Sequence, residues 1–130
     1  MNKNARILVT GHRDAVSQLN AVLSAFPQIE LAVLFGSIAS GRARPDSDVD
    51  IAVAARRALT TAEKIALVEA MAQRTGRPID LVDLRTVAEP LLGQILRHGH
   101  RLLGTDSAYG ELLSRHLFEQ ADFMPYRARV

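Results

Sequence analysis

The chain has 130 residues, of which 48% are hydrophobic and 23% charged. This is ordinary globular composition and excludes disordered, collagen-like and low-complexity classes. There is no cysteine, so a disulfide framework, a cysteine-based zinc site and a thiol nucleophile are excluded. Sixteen Lys and Arg against fourteen Asp and Glu leave a net charge of +2, too small an excess to argue for direct nucleic-acid binding.

The length suits a single domain, residues 1–130, with its own core. Residues 12–26 place Ala15, Leu19, Val22, Leu23 and Phe26 on one helical stripe, and Pro27 ends it. The preceding Ile7–Val9 reads either as a short strand or as an extra helical turn. Residues 30–35 carry the unbroken apolar run Leu31–Phe35, which predicts a strand buried on both faces and therefore central. Residues 48–54 predict a second strand, with Val49, Ile51 and Val53 on one face and Asp48, Asp50 and Ala52 on the other.

Thr60-Thr61-Ala62-Glu63 is a capping box that opens a helix with the stripe Ile65, Val68 and Ala72, closed by Gly76. Residues 78–84 predict a third strand, in which Asp80 and Val82 share one face while Ile79, Leu81 and Asp83 take the other. Thr86 is expected to cap a helix over 87–98, with Pro90 in its first turn and Gly99 as its stop. His100–Leu103 reads as a short fourth strand. Asp106 or Ser107 is expected to cap a last helix over 108–121, with the stripe Tyr109, Leu112, Leu113, His116 and Leu117. The order implies an α/β (α+β) fold with a small mixed sheet and flanking helices. The longest apolar runs, Leu31–Phe35 and Ile51–Ala55, fall far short of a membrane span. The N-terminal stretch has neither an apolar core nor a cleavage site, so a cytoplasmic protein without membrane contact is expected.

The chemistry concentrates in Leu34–Val53. Gly36-Ser37 follows a buried strand, and a strand-to-helix turn of this kind exposes backbone N–H groups and a hydroxyl that can cradle phosphate. Taken alone, the pair is equally a plain tight turn. Asp48 and Asp50 share a strand face, roughly 7 Å apart along the chain. A solvated face tolerates such a pair; so does a divalent cation held by hard oxygen ligands, such as Mg²⁺ or Mn²⁺. If the strands at 48–54 and 78–84 are neighbours, Asp80 meets both, and three carboxylates about one point suit two-metal phosphoryl transfer. Asp83 competes with Asp80 but falls on the opposite face. Arg42 and Arg44 lie in the loop between the turn and the acidic strand, either as triphosphate contacts or as solvated loop residues. Lys64 reads as a helix-surface charge, and His12, His98, His100 and His116, which lack metal-ligand spacing, as structural.

Together, Leu34-Phe35-Gly36-Ser37, Ala39, Gly41, Ser47-Asp48, Asp50 and Val53, with Asp80 in a later Ile-Asp-Leu-Val strand, resemble the signature of the DNA polymerase β-like nucleotidyltransferase superfamily. The close form is similar to the minimal nucleotidyltransferases (MNT), over about residues 15–105. The resemblance implies that Asp48 and Asp50 bind two Mg²⁺ ions and Asp80 one of them. Asp80 would act as base or orienter for the attacking hydroxyl. Gly36 and Ser37 would hold the β- and γ-phosphates of ATP.

It further implies a hetero-oligomer with a HEPN-domain toxin, an RNase, which the MNT protein neutralises as antitoxin by adenylylating a tyrosine. The apolar tail residues Phe123, Met124 and Tyr126 either dock such a partner or pack back onto the sheet. The alternatives are a non-catalytic antitoxin acting by complex formation, and nucleotidyl transfer to a small molecule such as an aminoglycoside. The complete set of Ser37 and three acids favours an enzyme, and the lack of room for a substrate domain disfavours a small-molecule acceptor.

Overall fold

A computed structural model describes the backbone of residues 14–128 and the side chains of residues 14–119. His12, the Ile7–Val9 segment, the first two residues of the expected 12–26 helix and the side chains of Phe123, Met124 and Tyr126 lie outside the described residues. The elements are α1 (residues 14–23), β1 (Ile29–Phe35), α2 (Gly36–Ala39), β2 (Val49–Ala55), α3 (Thr61–Thr75), β3 (Ile79–Asp83), α4 (Leu91–His98), β4 (His100–Leu103) and α5 (Asp106–Ala128). No described helix is long and apolar enough to cross a membrane.

The four strands form one mixed sheet in the order β3-β2-β1-β4. β1 pairs antiparallel with both β2 and β4, whereas β2 and β3, joined through α3, run parallel. β1 and β2 are thus the inner strands, and their continuous apolar sequences are buried by helices on both faces. On one face Ala32, Leu34, Val49, Ile51 and Val53 pack with Leu19 and Leu23 of α1 and with Leu67 and Met71 of α3. On the other, Leu31, Val33 and Ala52 pack with Leu92 and Ile95 of α4 and Leu112 of α5.

Helix ends follow local chemistry closely. α1 gives way after residue 23 to i→i−3 bonds, Ala25 N–H to Val22 O and Phe26 N–H to Leu23 O, ahead of Pro27. The Thr60–Glu63 capping box is formed in both directions, and Gly76 closes α3 in the left-handed conformation. Two later helices differ more from expectation. α4 starts at Leu91, not at 87, with Pro90 as its N-cap. A proline disfavours helical backbone at the residue before it, so residues 87–89 stay outside. α5 is capped by Thr105, whose Oγ1 accepts from Ala108 N–H at 3.1 Å, and it extends to Ala128 rather than 121.

Two stripes also turn. In α3 Leu67 and Met71 are buried, while Ile65, expected inside, is 52% exposed. Its apolar residues are spread around the helix instead of gathered on one side, so its ends are well specified and its rotation is not. Of the stripe expected in α5, Tyr109, Leu112 and His116 face inward. Leu113 and Leu117, expected in the stripe, lie outside with Phe118, because α4 already fills that layer of the core.

Candidate active site

Gly36, Ser37, Asp48, Asp50 and Asp80 meet at one end of the sheet. β1 arrives there at its C-terminal end, and β2 and β3 depart from it at their N-terminal ends. The register makes a row of Phe35, Asp50 and Asp80 across three strands. Period-two alternation aims Asp50 and Asp80 to one side, away from the Val49–Ile51–Val53 face. Asp80 is exposed, Asp50 is half-buried, and Asp48 is exposed just before β2 begins. Asp83 pairs instead with Val53, and its Oδ1 accepts from Arg85 N–H at 2.9 Å, closing a turn at the far end of β3.

Gly36 lets the turn approach this row. Its φ is +74°, and a Cβ there would lie 2.1 Å from Asp50 Oδ2. No other residue tolerates both the backbone and the contact. From Gly36 the chain enters the single turn of α2, where Ser37 O accepts from Arg42 N–H at 2.8 Å and from Ser40 Oγ at 3.1 Å. The N–H groups opening such a turn have no partner within it.

The acids are in electrostatic conflict. The Asp50 carboxyl is held above its ordinary value of 3.8, first by burial, then by the charge of Asp80 and a hydrogen bond shared with it, and least by Asp48. Below the ordinary value both folded and unfolded chains carry the proton. As pH rises the unfolded chain ionises first, so stability is lost until folded Asp50 ionises as well. In the absence of divalent cations, the melting temperature of the native chain relative to an Asp50→Asn variant should therefore fall as pH is raised from about 4 to about 7. A difference that stays flat in differential scanning fluorimetry would show that Asp50 carries no such burden.

Among the described residues, no three Asp, Glu, His or Cys side chains already converge as a finished cation cage. The donor set nonetheless fits a hard divalent ion. It consists of carboxylate oxygens alone, and a cation would offset both the burial and the neighbouring charge that raise Asp50. Arg42 and Arg44 are exposed on the loop that leads to Asp48. That loop is folded on itself, with Arg44 N–H donating to Ser47 Oγ at 2.7 Å. It is also held from outside by a residue that sequence reading passed over. Arg77 Nη1 donates to Arg44 O at 2.8 Å and to Ser47 O at 3.0 Å. Only its place between the Gly76 cap and the third strand gave a hint of this.

His116 is buried, and its Nδ1 pairs with Glu89 Oε2, while Glu89 Oε1 accepts from Gly93 N–H at 3.0 Å, fastening α5 to α4. His98 is exposed at the end of α4, and His100 sits opposite Leu34 in β4.

Residues 17–108 match the family model described as polymerase beta, nucleotidyltransferase. Among curated proteins, the chain is 37% identical over 79 residues to the protein adenylyltransferase MntA of Shewanella oneidensis. That alignment takes in 61% of this chain and 57% of the relative, little more than half its length. Among solved structures, it is similar to a chain of a toxin–antitoxin complex with AMP-PNP, at a TM-score of 0.70 and 28% identity over 88% of this chain and 96% of that one. It is also similar to a chain of the tri-AMPylated Shewanella oneidensis HEPN toxin in complex with MNT antitoxin, at a TM-score of 0.61 and 25% identity over 94% and 97%.

Proposed function

The chain belongs to the polymerase beta nucleotidyltransferase family, and from that premise we propose that it transfers AMP from ATP to a tyrosine hydroxyl of a HEPN-type toxin, acting as its antitoxin. The observation that carries the reading is the Asp50–Asp80 pair, set side by side on parallel strands with Gly36 pressed against Asp50. The likeness to an adenylyltransferase and to toxin–antitoxin complexes supports the substrate and partner.

In this reading Asp48, Asp50 and Asp80 hold two Mg²⁺ ions, which when bound supply positive charge against the triphosphate and the reacting phosphoryl group. The N–H groups of Gly36 and Ser37, with the Ser37 hydroxyl, bind the β- and γ-phosphates. Arg42 and Arg44 reach the triphosphate from the loop. Asp80 accepts the proton of the acceptor hydroxyl. The hydroxyl oxygen bonds to the α-phosphorus, the bond from that phosphorus to the bridging oxygen breaks, and pyrophosphate leaves. Asp80 is exposed, which suits an acceptor delivered on another protein.

A second reading, neutralisation by binding alone, draws on the exposed apolar side chains Leu113, Leu117 and Phe118 of α5. Intact-mass spectrometry of a HEPN partner incubated with this protein, ATP and Mg²⁺ separates the two. The expected result is a mass gain in steps of one AMP, lost with Asp50→Asn. A stable complex with no mass gain would transfer the case to the second reading.

A further inference from the structure

Resting on the nucleotidyltransferase reading above, we infer that Arg77 is a positioning residue that holds the Arg42–Ser47 loop and Asp48 in place for the nucleotide. The inference starts from connectivity. Asp50 and Asp80 are fixed by the sheet itself, as directly paired residues of β2 and β3. Asp48 and both loop arginines precede β2, and no strand pairing reaches them. Something else must set where they stand, and the contacts converge on one guanidinium.

Arg77 spans 33 and 30 residues of sequence to bind Arg44 O and Ser47 O, the two ends of the turn before Asp48. Within that turn Ser47 N–H donates to Arg44 O at 3.0 Å and Arg44 N–H to Ser47 Oγ at 2.7 Å. One charged donor therefore closes over a turn that already closes on itself, and hydrogen bonds from a charged donor are stronger than neutral ones. Arg77 is itself anchored. Its N–H donates to Thr75 Oγ1 at 3.2 Å, and that hydroxyl donates to Met71 O at 2.8 Å in the buried turn of α3. Next to it, Pro78 O accepts from Val49 N–H at 2.8 Å, the first bond that locks the β2 entrance to β3. The path runs from the α3 cap through Arg77 to the loop, so the metal and triphosphate groups on the loop are tied to the strand that carries Asp80.

Arg77 uses one nitrogen for both carbonyls, so a lysine ammonium can replace it in part, whereas a neutral side chain cannot. The test is calorimetric titration of the full chain with AMP-PNP in the presence of Mn²⁺, for the native protein, Arg77→Ala, Arg77→Lys and Asp50→Asn, with circular dichroism of each. Arg77→Ala is expected to weaken AMP-PNP binding about tenfold with its helix content intact, and Arg77→Lys to recover most of the loss. A purely structural arginine would lower melting temperature and leave affinity where it was. Native affinity in Arg77→Ala, or a loss that lysine does not recover, overturns the inference while the binding difference between native protein and Asp50→Asn keeps the enzyme reading. If the native chain binds no more tightly than Asp50→Asn, the reading fails and the inference with it. Should Arg77→Ala not fold, Arg77→Lys against native protein decides, since lysine must then bind AMP-PNP within a few-fold of native.

Discussion

Asp48→Asn is expected to cut AMP transfer by about 10³-fold or more, the scale seen when a charge-stabilising group is removed from a reacting phosphoryl or acyl centre. The same change should leave the melting temperature nearly untouched, because Asp48 is exposed and precedes β2. The contrast lies with Asp83, the other acid of the third strand. It sits beside Val53 at the opposite end of β3, where its carboxylate accepts from Arg85 N–H. Asp83→Asn should therefore keep most of the activity, since the amide oxygen can still accept that bond. Transfer rates by intact-mass spectrometry, paired with melting curves, check both. An essential Asp83 with a dispensable Asp80 would mean that the face assignment of β3, and with it the acidic site, is wrong.

The second large effect is predicted for Gly36→Ala. The new methyl carbon would fall 2.1 Å from Asp50 Oδ2, on a backbone with φ of +74°. A left-handed alanine costs about 1–2 kcal/mol and the forced displacement about 1–3 kcal/mol more, so a loss of about 2–5 kcal/mol is expected. Gly41 isolates the first contribution. Its φ is +76°, but a Cβ there meets nothing within 4 Å. Gly41→Ala should cost only the backbone share, about 1–2 kcal/mol. Denaturant melts of the two variants measure the gap. Equal losses would show that the close approach to Asp50 carries no energetic weight. Because the displaced atom belongs to a proposed metal ligand, Gly36→Ala should also lose nucleotide binding, which Gly41→Ala should largely keep.

The strands and the row of site residues were legible for one physical reason. Period-two alternation in 48–54 and 78–84 reports directly which side chains share a face, and Asp50 and Asp80 needed only neighbouring strands to meet. The Thr60 box and Gly76 marked α3 because caps are local hydrogen-bond chemistry. Rotation was not legible. Ile65 and Leu67 are equally apolar, and which one enters the core depends on how α3 lies across the sheet. Leu113 and Leu117 failed for a related reason, since sequence cannot say how much of the layer over the sheet α4 will occupy. Arg77 escaped because its function is a contact over thirty residues with backbone carbonyls, which every residue possesses and no motif records.

Every element that builds the acidic end, from β1 to β3, is contiguous in the chain, and the Asp50–Asp80 register is closed before α4 and α5 are added. The later helices reach the sheet through Leu92, Ile95 and Leu112, in a cluster that Phe35 of the acidic row also joins. Leu113, Leu117 and Phe118 stand on the outer side of α5, exposed, so substitutions there are expected to leave those buried contacts in place. Under the proposed reading, whom the chain recognises can drift along one helix while the acids proposed for its reaction stay where the sheet register puts them.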